Sequence, residues 1–129
     1  MKILFWRKTK MEDKKIKSLT KSDLETIFES LDIPFNEGIQ NDKNKNAEAR
    51  IVYWDYFWEP LIASGKEYST NVLYQVSFFS KTPRHKKLLE LKRKLAERGI
   101  FVSIEHEYNQ KEQFWHSYFK VEVLENLYE

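Results

Sequence analysis

The chain has 129 residues, 16% of them aromatic and 33% charged, and a net charge of +2, which suits one domain with a substantial core and a well-solvated surface. It contains no cysteine, which excludes disulfides, thiol catalysis and the commonest structural zinc sites. Its apolar runs are far shorter than the ~20 residues of a membrane-spanning helix. The patch from Ile3 to Trp6 is also shorter than the about 7–15 residues of a signal-peptide core, so neither membrane association nor secretion is expected.

Charge is unevenly spread. Residues 1–17 and residues 84–98 each hold seven basic and two acidic side chains, whereas residues 103–129 hold two basic and six acidic ones. Such separation can steer a nucleic acid or align copies of one chain head to tail. The first 19 residues are basic and lack a sustained period, so residues 1–19 read as a mobile N-terminal arm. Phe5 and Trp6 are its candidate partner-binding anchors.

The first clear element is "SDLETIFESL". Ser22 with Glu25 has the spacing of a capping box, and Leu24, Ile27, Phe28 and Leu31 fall on one helical face. Pro34 ends the helix, because the residue before proline is pushed out of the helical region. "NEGIQNDKNKNAEA" reads as a loop. "RIVYWDYFW" reads as a strand, with Ile51, Tyr53, Asp55 and Phe57 on one face and Val52, Trp54, Tyr56 and Trp58 on the other. "EPLIASGKEYST", with Pro60 and Gly65, reads as a long loop of unusual apolar content, which is often functional. Trp58, Leu61, Ile62 and Tyr68 there are candidate protein–protein contacts.

"NVLYQVSFFS" is a second strand, with Val72, Tyr74, Val76 and Phe78 on one face. "KTPRHKKLLELKRKLAERG" is a helix with Thr82 as candidate cap, Pro83 in its first position and Gly99 just past its end. Its buried stripe is Leu88, Leu91 and Leu95, with Leu89 and Ala96 beside them. "IFVSIEHEY" and "HSYFKVEVLENL" are strands joined by a turn at "NQKEQ". The expectation is an α+β fold: residues 20–129 as a single domain, with about four mostly antiparallel strands and two main helices on one sheet face.

Little here is built to react. The three histidines are His85, His106 and His116. His106 and His116 would share a metal only if the terminal hairpin brought them together, and strand histidines are mostly solvated. Serines lack a readable His and Asp partner. Glu105 with Glu107, and Glu122 with Glu125, read as solvated strand edges rather than acid–base pairs. The aromatic run beside a lysine-rich helix raises single-stranded nucleic-acid binding, but Asp55 and Glu59 interrupt it.

The order of motifs is itself informative. Ile33-Pro34, the aromatic strand from Tyr53 to Phe57, "YQVSFFSK" from Tyr74 to Lys81, the charged helix from Leu88 to Arg98, Ile100-Phe101 and the strand from Tyr118 to Val123 form one pattern. Over residues 31–124 it resembles small tail proteins of tailed phages of Gram-positive bacteria. The resemblance implies a tail terminator, also called a tail completion or tail-to-head joining protein. It implies a homo-hexameric ring that ends the tail tube and docks to the head connector, with partners in the tail tube protein and the connector. DNA would pass through the ring lumen without sequence-specific binding. The expected place is the virion neck, after synthesis in the host cytoplasm, with no enzyme activity and no cofactor. The basic leader and the asparagine-rich loop depart from the family's pattern. The competing expectations are a small sequence-independent nucleic-acid-binding protein and an enzyme subunit whose site is shared between chains.

Overall fold

The computed structural model describes residues 19–38 and 44–128. Phe5, Trp6 and most of the basic leader lie outside them. Helix α1 (Lys21–Ser30) begins at Thr20, not at Ser22. Thr20 and Asp23 carry the same capping-box spacing two residues earlier: the Asp23 N–H donates to the Thr20 hydroxyl and the Thr20 N–H to the Asp23 carboxylate, both at 3.1 Å. Leu19, just before the cap, and Leu24, four residues into the helix, are both buried. That is the pattern of a hydrophobic staple, and it fixes the start. The Leu19 carbonyl also accepts the Leu124 N–H at 2.9 Å, so Leu19 belongs to the folded domain rather than to the expected arm.

The sheet has five strands in the order β1-β2-β3-β5-β4, not about four. The extra strand is β1 (Phe35–Glu37), which runs parallel to β2 (Ala49–Ala63). At three residues, two of them polar, it is too short to show a period, and it makes the sheet mixed. The other pairings are antiparallel: β2 with β3 (Lys66–Ser80), β3 with β5 (Phe114–Glu125), and β5 with β4 (Glu105–Asn109).

The largest correction concerns "EPLIASGKEYST". It is no loop, because β2 and β3 continue through it as one hairpin of 15-residue strands. Ser64 and Gly65 form its two-residue turn with φ of 55° and 75°. Positive φ at both central residues is the turn geometry that matches strand twist. Pro60 is tolerated because β2 is an edge strand there, where a missing N–H breaks no interior ladder. A bulge at Tyr56 also changes the expected facing: Asp55 pairs with Tyr74, but Phe57 pairs with Leu73 and Trp58 with Val72. Beyond Asp55, therefore, Trp58 takes the face of Val72 and Phe57 the opposite one.

Helix α2 (Lys86–Glu97) is capped by His85, whose Nδ1 accepts the Lys87 N–H at 3.0 Å. Thr82 and Pro83 belong to the preceding turn, where Arg84 has φ 51°. The other end follows expectation. Gly99 has φ 79°, and the N–H groups of Ile100 and Gly99 return to the carbonyls of Leu95 and Ala96, closing a Schellman motif. Residues 100–104, expected at the start of a strand, lie outside the sheet, with Ile100, Val102 and Ile104 packed against the core.

Both helices bury their apolar stripes on one sheet face, but Leu89, expected within the stripe of α2, is 54% exposed, because it lies on the helix side turned away from the sheet. Leu24, Ile27, Phe28, Leu88, Leu91 and Leu95 join Ile51, Tyr53, Val72, Tyr74, Val76, Phe78, Phe119, Val121 and Val123 in one core. Two tyrosines cross it with their hydroxyls satisfied: Tyr53 donates to Glu25 at 2.6 Å and Tyr74 to Glu125 at 2.8 Å. Burial raises the pKa of both phenols, with the neighbouring carboxylates adding to the effect, so both remain protonated donors. Arg98 with Asp23, at 3.2 Å, ties α2 to α1.

Candidate functional site

The hairpin outruns the rest of the sheet. β1 covers β2 only from Ile51 to Tyr53, and β5 covers β3 only from Thr70 to Ser80. Residues 60–69 are therefore a two-stranded arm. The arm and its root expose large apolar side chains: Trp58 is 59% exposed, Ile62 65% and Tyr68 61%, with Tyr56 and Phe57 beside them. Leu61 is half-buried. The Trp58 indole donates to Asp55 at 2.6 Å, which fixes the ring while leaving most of it in solvent. Four of the six candidate contact residues thus gather on one projecting element, and Phe5 and Trp6 lie outside the described residues. The readable signal for its shape was Ser64-Gly65, a strong turn dipeptide between apolar runs.

The sheet face turned away from the helices carries a polar and aromatic network that sequence spacing did not reveal. Cross-strand register sets His116 between Phe79 of β3 and Glu107 of β4, with Ser77 two residues from Phe79 on the same face. His116 Nε2 lies 2.8 Å from the Ser77 hydroxyl, and its Nδ1 lies 3.1 Å from Glu107. The imidazole stacks on Phe79 at 4.5 Å with 10° between planes. Arg50 covers the Phe79 and Phe114 rings at 4.3 and 5.0 Å and donates to the Lys45 carbonyl at 3.1 Å. Next along, Tyr118 donates to Glu105 at 2.7 Å. A depression of about 690 Å³ opens over this region, lined by Arg50, Phe79, Glu107, Phe114 and His116 among others.

Ser77, His116 and Glu107 reproduce the hydrogen-bond order of a hydrolytic triad, but Ser77 is 0% exposed. A nucleophile must reach its substrate, and this hydroxyl is covered by its neighbours. It sits mid-strand, where backbone N–H groups serve the sheet ladder rather than an oxyanion. The chain of contacts is better explained as satisfying buried polar groups.

The remaining candidates are dispersed. His106 and His116 project from opposite faces, since His106 pairs with Ser117 and Glu107 with His116. His106 Nδ1 instead meets the Ser117 hydroxyl at 2.7 Å. Among the described residues no group of three or more His, Asp or Glu could hold a metal ion. Glu105 and Glu107 share a face, as alternation predicts, and each accepts from a β5 side chain. Glu125 receives Tyr74 on the helix face, whereas Glu122 pairs with Leu73 on the other. The element most exposed and least explained by the domain's own packing is the arm. Compared with known proteins, no family model matches the chain and no curated protein matches it.

Proposed function

We propose that the chain is a structural subunit that assembles with its own copies into a ring, in the role of the tail terminators its sequence resembles. In that role it ends a tail tube and docks to a head connector. The observation that carries the reading is the two-stranded arm, with Trp58, Ile62 and Tyr68 in solvent. An isolated two-stranded ribbon is marginally stable in water, and exposed aromatics on one are typical of interface anchors. Trp58 does not fold back over the sheet, as it would if it served the domain's own core. The role is non-catalytic in this reading, since Ser77, which among the described residues has a histidine and carboxylate aligned behind it, is buried. Nucleic-acid binding draws less support, because Arg50 is 5% exposed and covers Phe79 and Phe114 rather than leaving those rings open for base stacking.

The test is the mass of the full chain in solution, with electron micrographs of it beside purified tail tubes. Rings seated on tube ends are expected. Replacing Trp58→Ser together with Leu61→Ser should leave a folded monomer and tails of uncontrolled length or tails without heads. A double variant that folds and still forms rings and infectious particles would overturn the assignment.

A further inference from the structure

We infer that the arm of one copy docks into an apolar groove beside α2 of the next, so that identical chains join head to tail. This rests on the ring reading and names its contact. The groove, about 300 Å³, is lined by Leu88, Leu89, Val102 and Ile104, with Arg84 and Lys92 among its cations. Leu88 is 3% exposed and Leu89 54%, and Phe101, the residue before Val102, is 78% exposed. Apolar side chains left open at a helix–segment junction suit an incoming apolar ribbon.

Charge selects the occupant. Among the described residues, most cations of α2 and its C-cap are already engaged, Lys86 and Lys92 apart: Lys87 and Lys94 with Glu90, Arg93 with Glu97, and Arg98 with Asp23. Arg84 and Lys92, which line the groove, take part in none of the salt bridges among the described residues. The arm and its root are the counterpart. Asp55, Glu59 and Glu67 face only Lys66 in that stretch, and none of the three is in a salt bridge among the described residues. An acidic ribbon bearing Trp58, Ile62 and Tyr68 thus complements a basic apolar groove.

Topology keeps the two surfaces apart. The arm grows from β2 and β3, whereas the groove lies beside α2 and the approach to β4, which forms the far edge of the sheet. Two arms would repel each other, so a twofold dimer through them is disfavoured. Arm to groove is a heterologous contact, the kind that closes into rings by rotation.

The chain has no cysteine, so introduced thiols report one contact. The full chain carrying Ile62→Cys and Leu89→Cys, both at exposed positions, should give a ladder of disulfide-linked multimers on mild oxidation. Each single variant should give dimers at most. Ile62→Cys with Lys120→Cys, which moves the second thiol to the opposite sheet face, should give no ladder. As a thiol-free check, Arg84→Glu with Lys92→Glu should abolish assembly, and adding Glu59→Lys with Glu67→Lys should restore it. No ladder from the Ile62/Leu89 variant while the wild-type chain forms rings overturns the arm-in-groove contact and leaves the ring reading standing. Equal ladders from both double variants, or undiminished assembly after Arg84→Glu and Lys92→Glu, also overturn it. A wild-type chain that stays monomeric overturns both.

Discussion

Asp23 does two jobs at one position. Its carboxylate accepts the Thr20 N–H and also meets Arg98. The Thr20 backbone bond, foremost, with the Thr20 hydroxyl and the Arg98 charge, holds its pKa below the usual carboxylate range. A lowered folded-state pKa means stability that is present above the unfolded value, near ~3.9, and lost as pH falls through the folded one. Asp23→Asn should therefore remove part of the acid-induced loss of stability, read as denaturant midpoint between about pH 5 and pH 2. Parallel pH profiles for the two proteins would refute the role. Ser77 makes a sharper case at this scale. If it is structural, Ser77→Ala leaves His116 Nε2 without its hydroxyl and should cost about 1–3 kcal/mol, while a serine-directed phosphonate should not label the wild-type residue. Labelling at Ser77 would mean that the triad order is more than packing. These residues were the least legible in the sequence. Ser77, Glu107 and His116 are separated by 30 and 9 positions, and only the β3–β5–β4 register brings them together. A capping box, by contrast, is local, so it was readable to within the two residues that separate Ser22 from Thr20.

At the scale of elements, periodic segments declared themselves and short or paired ones did not. Leu88, Leu91 and Leu95 recur at helical spacing, and all three are buried. Leu91 is 0% exposed, so Leu91→Ala should cost about 2–5 kcal/mol, whereas Leu89→Ala, on the exposed side of the same helix, should stay within about 0.5 kcal/mol. Equal shifts in urea midpoint for the two would mean that the helix is rotated from the face described. β1 was invisible because three residues cannot show a period, and its pairing with β2 joins residues 16 positions apart, Phe35 with Ile51 onward. The arm was misread for a different reason. Proline and glycine mark both loops and hairpins, and what separates the two is whether the flanking residues find partners across the turn. Ile62 with Glu67 and Ala63 with Lys66 do.

The whole molecule is asymmetric in two senses. Helices cover one sheet face and leave the other as a mosaic of stacked rings and hydrogen-bonded polar side chains. The arm extends past the strands that flank its root, so the domain's own packing supports its base and not its tip. The helix-covered sheet holds the core, and the arm stands beyond it as a two-stranded ribbon. That division fits a component whose work is done by contact. It places the assembly test at the level of copies rather than of single residues.

The bulge at Tyr56 carries a consequence for how such a subunit would close. Tyr56 is an additional residue: Asp55 pairs with Tyr74 and Phe57 with Leu73, so removing it would leave every cross-strand partner unchanged. What it adds is local twist and bend at the root of the arm. The side chains the arm offers are therefore set by register, and the direction in which its root offers them by this insertion, with a second irregularity at Tyr68, between the Leu61–Ser69 and Ile62–Glu67 pairs, acting nearer the tip. A chain lacking Tyr56 should still recognise its neighbour, because the contact chemistry is intact. Its successive copies would meet at a different angle, however, and a constant angular error added at every step would yield another copy number or an open helix instead of the proposed ring. Closed particles of unchanged diameter from that variant would show that curvature is encoded elsewhere.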